Sequence, residues 1–173
     1  TRDRCCGQLG TVLHLELSSD AADNHRIPDD VRVWRSSHTG GHRFAPTGDH
    51  FPSGTTRSSL TAPLTRSILD QSVPTHRLSP HIRGNLGIAD RPAQIAEGRA
   101  VLDRGWPSLE QERSVDMEID DAGIVSATVQ SECGLHTVRL RPIDAIPVPA
   151  CGQDIDASTK ATAQFQVTEE TNH

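Results

Sequence analysis

The hydrophobic pattern of the first hundred residues is mainly helical. Leucines and a valine recur three or four positions apart over residues 7–17, which predicts a helix there. Residues 65–71 predict a second, short helix of one or two turns. The clearest helix is predicted over residues 91–104, where Pro92 suits the first turn and Gly105 ends the run.

Apolar residues alternate with polar ones from residue 114 onward. The stretches 115–119, 124–129 and 136–140 are separated by turn residues, which predicts a three-stranded meander. Earlier in the chain, residues 31–34 predict a strand, and the turn at 52–54 joins two short extended pieces.

Three other stretches do not have a strand pattern. Residues 81–87 are punctuated by glycine and predict a loop. Pro147 and Pro149 argue against a strand at that point, because proline cannot donate to a sheet ladder. Residues 153–173 contain few large apolar side chains, so we expect a mostly disordered tail with one β-prone patch at 165–167.

This order of elements predicts an α/β fold. Residues 1–152 are expected to form one domain, in which a mixed sheet packs against helices and a C-terminal β-meander follows. Aromatic residues make up 3% of the chain, so Leu, Ile, Val and Ala must supply the core.

Charge and composition exclude several classes of partner. The net charge is −6 with both signs mixed, and no basic stripe suggests a nucleic-acid ligand. No apolar run approaches the roughly 18 residues of a membrane span. The chain begins at Thr1 without a visible signal peptide, so we expect a fragment of a cytoplasmic protein with reduced cysteines.

Two histidines flank a glycine pair and form the first candidate site. A helix would place His38 and His42 on one face, but Gly40 and Gly41 would each cost about 1 kcal/mol there. We therefore predict a loop in which these glycines adopt positive φ. Imidazole is the commonest metal-binding side chain, and two on a tight loop can face one centre.

Adjacent cysteines begin the first predicted helix. At a helix N-terminus the backbone N–H groups favour a thiolate, so Cys5 and Cys6 are candidate ligands or reactive thiols. The same residues are equally consistent with small buried hydrophobes. His38 and His42 are also consistent with backbone hydrogen bonding, or with a zinc site that includes one cysteine.

Three motifs together carry a family resemblance. Arg-Asp-Arg-Cys-Cys-Gly at residues 2–7, the tryptophan–histidine segment at 33–46, and Arg-Gly-Asn at 83–85 resemble the sucrase/ferredoxin-like family. The resemblance extends over roughly residues 1–152. It implies a thioredoxin-like domain that holds a [2Fe–2S] cluster through two cysteines and two histidines.

By that resemblance, Cys6, His38 and His42 are cluster ligands. The family supplies another cysteine upstream, at a position that would precede Thr1, so one ligand is expected to be missing from this sequence. The implied function is electron transfer to or from a redox partner protein that the sequence does not identify. A thioredoxin-like thiol or zinc protein is the alternative, although the chain has no Cys-x-x-Cys motif.

Sugar hydrolysis, which the family name suggests, is not expected. Glycosidases place two carboxylates on either side of one glycosidic bond. The acidic pairs at 29–30, 120–121 and 169–170 lie in predicted turns and tail, without an evident partner carboxylate. We therefore expect an electron-transfer protein more than a catalyst.

Overall fold

Two antiparallel sheets and three α-helices make up the fold. The computed structural model describes residues 4–19, 27–37, 39, 41–149, 152–158 and 160–172, and only the backbone of Arg4, Cys5 and Ala157. The α-helices are α1 Arg4–Ser18, α2 Ala62–Leu69 and α3 Arg91–Arg104. The strands are β1 Gly48–His50, β2 Thr55–Arg57, β3 Ile82–Asn85, β4 Ser114–Ile119, β5 Val125–Ser131, β6 Gly134–Pro147 and β7 Ala161–Asn172.

Short 3₁₀-helices fill several connections. They span His42–Phe44, Thr75–His81, Trp106–Glu110 and Ile155–Ala157. The strand order is β1-β2-β3 in the small sheet and β4-β5-β6-β7 in the large one. Within the described part of the chain, no helix is long and apolar enough to span a membrane.

All three predicted helices are confirmed. The predicted bounds of α3 match the observed ones, and Gly105 ends it at φ 82°. At the start of α2, the Thr61 side chain accepts a hydrogen bond from the backbone N–H of Leu64, which caps the helix. The α1 helix begins three residues before the predicted start at residue 7, and so includes both Cys5 and Cys6.

The predicted meander is also confirmed. Strands β4, β5 and β6 pair in sequence order, and burial alternates along β5 as the polar–apolar pattern requires. The α3 helix packs Ala96 and Ala100 against the inward face of this sheet. Since α3 also contacts β3, it joins the two sheets.

The tail predicted to be disordered instead contains the fourth strand of the large sheet. Residues Ala161–Asn172 form β7 and pair with β6 along its length. Phe165 and Val167 pack against the apolar cluster beneath the sheet. Those two side chains and a complete ladder with β6 outweigh the polar composition from which disorder was predicted.

The proline argument against a strand held at Pro149, which lies outside β6, but was wrong at Pro147. Pro147 is the last residue of β6, Pro142 lies within it, and both pair with β7. Strand β5 reaches only as far as Leu140, so beyond it one edge of β6 has no partner strand. A missing backbone N–H on that open edge costs no ladder hydrogen bond.

Two predictions in the first half are also corrected. Residues 31–36 form no strand, and Trp34 is 84% exposed. Residues predicted as a loop near Arg83 instead form β3, because β2 offers them an antiparallel partner. The α/β class is confirmed, with the strands divided between two antiparallel sheets rather than joined in one mixed sheet.

Candidate functional site

The first candidate ligand lies near the start of α1. Cys6 is in the first turn of that helix and is half-buried. The α1 helix contacts the 3₁₀-helix His42–Phe44, which follows the glycine pair in the chain. The helix that carries Cys6 and the loop that carries His42 therefore pack together.

Gly41 is required at its position for two reasons. Its φ of 64° lies in the left-handed region that glycine adopts at little cost, which confirms the predicted positive φ. A Cβ atom at Gly41 would lie 2.5–2.7 Å from the guanidinium atoms of Arg83. The absence of a side chain thus lets Arg83 lie directly on the loop backbone.

Arg83 connects the parts of this site. Its guanidinium lies 4.9 Å from the centre of the Phe44 ring, and Arg43 lies 4.7 Å from the same ring. Burial lowers the pKa of Arg83, as do Arg91 and Arg43, while Asp49 and Cys6 act in the opposite direction. Arg83 is thus close enough to Cys6 for their charges to interact.

The ring of His42 contacts a backbone oxygen 107 residues further along the chain. One of its ring nitrogens, Nε2, lies 3.0 Å from the backbone oxygen of Pro149, and the histidine is half-buried. A carbonyl oxygen only accepts hydrogen bonds, so Nε2 carries the proton and donates. In neutral His42 the lone pair that can bind a metal is then on Nδ1.

The predicted ligand His38 lies outside the described residues. Cys151, which was not a predicted ligand, and the side chain of Cys5 also lie outside them. Cys133 is described and is exposed in the turn between β5 and β6. Across the described ranges, no group of three or more His, Cys, Asp or Glu side chains is arranged to hold a metal ion.

Sequence reasoning underestimated two contributors to the site. Arg83 was noted only as part of a motif, and its position against Gly41 and Phe44 depends on β3 pairing with β2. Pro149 gave no signal, because 107 residues separate it from His42. The residue pattern of the first half contains no information about which distant carbonyl would meet the histidine.

These elements define an α/β protein in which a cysteine-bearing helix, a glycine–histidine loop and an arginine meet. Residues 1–84 match the model of the sucrase/ferredoxin-like family, which confirms the predicted family over that segment. The segment includes α1, the glycine–histidine loop and Arg83, whereas the resemblance predicted over residues 85–152 lies beyond the match. Searches of curated proteins and of solved structures found no match to the chain.

Proposed function

We propose that this chain is an electron-transfer module that carries a [2Fe–2S] cluster. Cys6, His38 and His42 are the ligands within this sequence, and the family resemblance implies a second cysteine as the fourth. The cluster, when bound, supplies one-electron transfer, and its partner is another redox protein. The family match supports this proposal, since residues 1–84 include all three named ligands.

The hydrogen bond from His42 to Pro149 is the observation that carries the proposal. Histidines that bind metals usually donate their second ring N–H to a carbonyl or carboxylate, which fixes the tautomer and the ring orientation. The contact at 3.0 Å places Nε2–H on such a carbonyl, so in this proposal Nδ1 would be the nitrogen that binds iron. Residues present in the chain therefore fit a histidine-ligated cluster.

Arg83 supports the same assignment through its charge. Reduction adds one negative charge to a cluster, and a nearby cation stabilises the reduced form. Arg83 lies close enough to Cys6 to interact electrostatically with it. Two neutral imidazoles in place of thiolates also raise the potential, as in Rieske centres. The chain thus favours a cluster that accepts electrons readily.

The first test is metal content in a protein with the upstream cysteine restored. We expect iron and sulfide in near-equal amounts and a visible absorption spectrum typical of [2Fe–2S] centres. Cys6→Ser and His42→Ala should each lose most of the iron. Cys133→Ser and His76→Ala, which change an exposed cysteine and an exposed histidine, are the matched controls and should keep it.

The outcome distinguishes the main alternatives. A colourless protein that binds zinc through the same residues would replace the cluster with a zinc site. A protein that retains iron in both ligand variants would show that Cys6 and His42 are not ligands. Redox titration then tests Arg83: Arg83→Gln should keep the iron and lower the potential, whereas Arg141→Gln on the exposed part of β6 should change neither.

A further inference from the structure

A cleft of about 290 Å³ lies beside the candidate cluster site. Phe44, Ser79 and Arg83 line it together with residues of α3. Three arginines line the cleft, namely Arg83, Arg91 and Arg99, and none of the described lining residues is acidic. The cleft is therefore cationic in a protein whose net charge is −6.

The arginines of the cleft differ in how well their charge is compensated. Arg99 forms an ion pair with Glu170 at 2.6 Å. The Nε of Arg91 is buried and has no hydrogen-bond partner among the described residues. The neighbours that act on the charge of Arg83 include two like charges, Arg91 and Arg43, and two opposite ones, Asp49 and Cys6. Gathering guanidinium groups in a partly buried place costs free energy that a bound anion would recover.

The remaining surface of the cleft is of two kinds. Ile82, Ile95 and Leu102 provide an apolar wall, and the hydroxyl groups of Ser58 and Ser79 provide polar contacts. A volume near 290 Å³ is at the lower end of the range found for small-molecule sites. It suits a compact ligand with one anionic group rather than a large cofactor.

We propose that this cleft binds a small oxyanion, a phosphate or carboxylate attached to a compact apolar body. Arg83 and Arg91 hold the oxygens, since the planar guanidinium forms paired hydrogen bonds with either group. The apolar body lies on Ile82 and Ile95. This inference does not depend on the cluster, because Arg91 and Ser79 are not among the proposed iron ligands.

The binding test uses three probes at constant ionic strength: inorganic phosphate, phenyl phosphate and benzoate. Calorimetry on the wild-type chain should give saturable binding, with phenyl phosphate tighter than inorganic phosphate because its ring covers the apolar wall. Comparison of phenyl phosphate with benzoate shows whether the anionic group is phosphate or carboxylate. No saturable binding of any of the three probes would overturn the proposal.

Substitutions then locate the binding site. Arg91→Gln should weaken binding at least tenfold. Ser79→Glu should abolish anion binding, because the new carboxylate pairs with the arginines of the cleft in place of the ligand. For the same reason it should keep or raise the melting temperature. This variant keeps the test valid if Arg91→Gln folds poorly. Arg141→Gln removes the same charge outside the cleft and should bind as the wild type does.

Two further results would contradict the proposed anion site. Equal loss of binding in Arg141→Gln and Arg91→Gln would mean that only overall charge matters, and unchanged binding in Ser79→Glu would place the site elsewhere. The iron content of Arg91→Gln should equal that of the wild type. A loss of iron together with the anion would contradict the independence of the two sites, whereas anion binding to a chain without iron would support it.

Discussion

The two sheets are buried by opposite means. In the large sheet, most inward side chains are apolar, with Val129, Val138 and Leu140 fully buried, although His136 on β6 is buried beside them. In the small sheet, all three residues of β2 are buried although their sequence is Thr-Thr-Arg. A buried polar group must find a partner or lose free energy, so the small sheet depends on specific contacts rather than on apolar area.

Those specific contacts converge on Glu97, a buried carboxylate on α3. Arg113 donates to it in an ion pair at 2.9 Å, and the Asn85 amide donates at 3.2 Å. The second cation near Glu97 is Arg57, which is 2% exposed and lies 5.8 Å from the Trp106 ring centre. Burial lowers the pKa of Arg57 to about 10, although Glu97 opposes this. The comparison teaches that the small sheet is held by charges from three separate parts of the chain.

The largest effect is expected from Glu97→Ala. This change would leave Arg113 buried without its ion-pair partner and would remove the negative charge that favours the buried Arg57 guanidinium. Breaking a buried ion pair typically costs about 3–5 kcal/mol. Urea unfolding followed by circular dichroism measures the loss. The control is Glu170→Ala, which breaks the more exposed pair with Arg99 and should cost less than about 1 kcal/mol. Equal losses in the two variants would contradict the special role of Glu97.

The apolar sheet is tested by Leu140→Ala. Removing a fully buried leucine leaves a cavity and should lower the free energy of unfolding by about 2–5 kcal/mol. Leu135→Ala on the same strand is the control, because Leu135 is 40% exposed and should change the value by only about 0.5 kcal/mol. Chemical denaturation of both variants provides the comparison. A small loss at Leu140 would mean that this sheet, too, is held mainly by polar contacts.

A weaker, pH-dependent effect is expected at His50 in β1. Burial lowers the pKa of His50 below its ordinary 6.5, and the charge of Arg57 lowers it further. The folded protein therefore binds this proton less readily than the unfolded chain. The contribution of neutral His50 to the free energy of unfolding is fully present above pH 6.5. It is lost as the pH falls through the pKa of His50 in the folded state.

The test compares unfolding free energies between pH 7 and pH 5. His50→Gln should flatten the fall in stability towards acid, whereas His76→Gln, at an exposed position, should leave the wild-type slope. The effect should be smaller than that of either core substitution. A slope that does not change in His50→Gln would show that other groups cause the acid sensitivity.

The smallest effect is expected at Arg139 on the outer face of β6. Arg139 lies 3.9 Å from Asp120 and 3.6 Å from Glu169, and its side chain is 47% exposed. Water screens such pairs, so Arg139→Gln should cost less than about 1 kcal/mol in chemical denaturation. A loss similar to that of Glu97→Ala would contradict the view that burial makes the charges of the small sheet important.

The sequence alone determined the elements whose signals are local. Pro92 in the first turn and a terminal glycine were sufficient for α3, and alternation with intervening turns was sufficient for β4 to β6. The same kind of local signal placed Cys6 at the N-terminus of α1 and positive φ at Gly41. Each of these features depends on residues within a few positions of one another.

Only the tertiary structure decided the features that require a distant partner. Strand β3 exists because β2 pairs with it, and β7 exists because β6 leaves an edge to cover. The charge of the buried Arg57 is favoured by Glu97, 40 residues further along the chain, and His42 meets a carbonyl 107 residues away. Hydrogen bonds and ion pairs form wherever packing brings groups together, and a pattern of neighbouring residues does not contain that information.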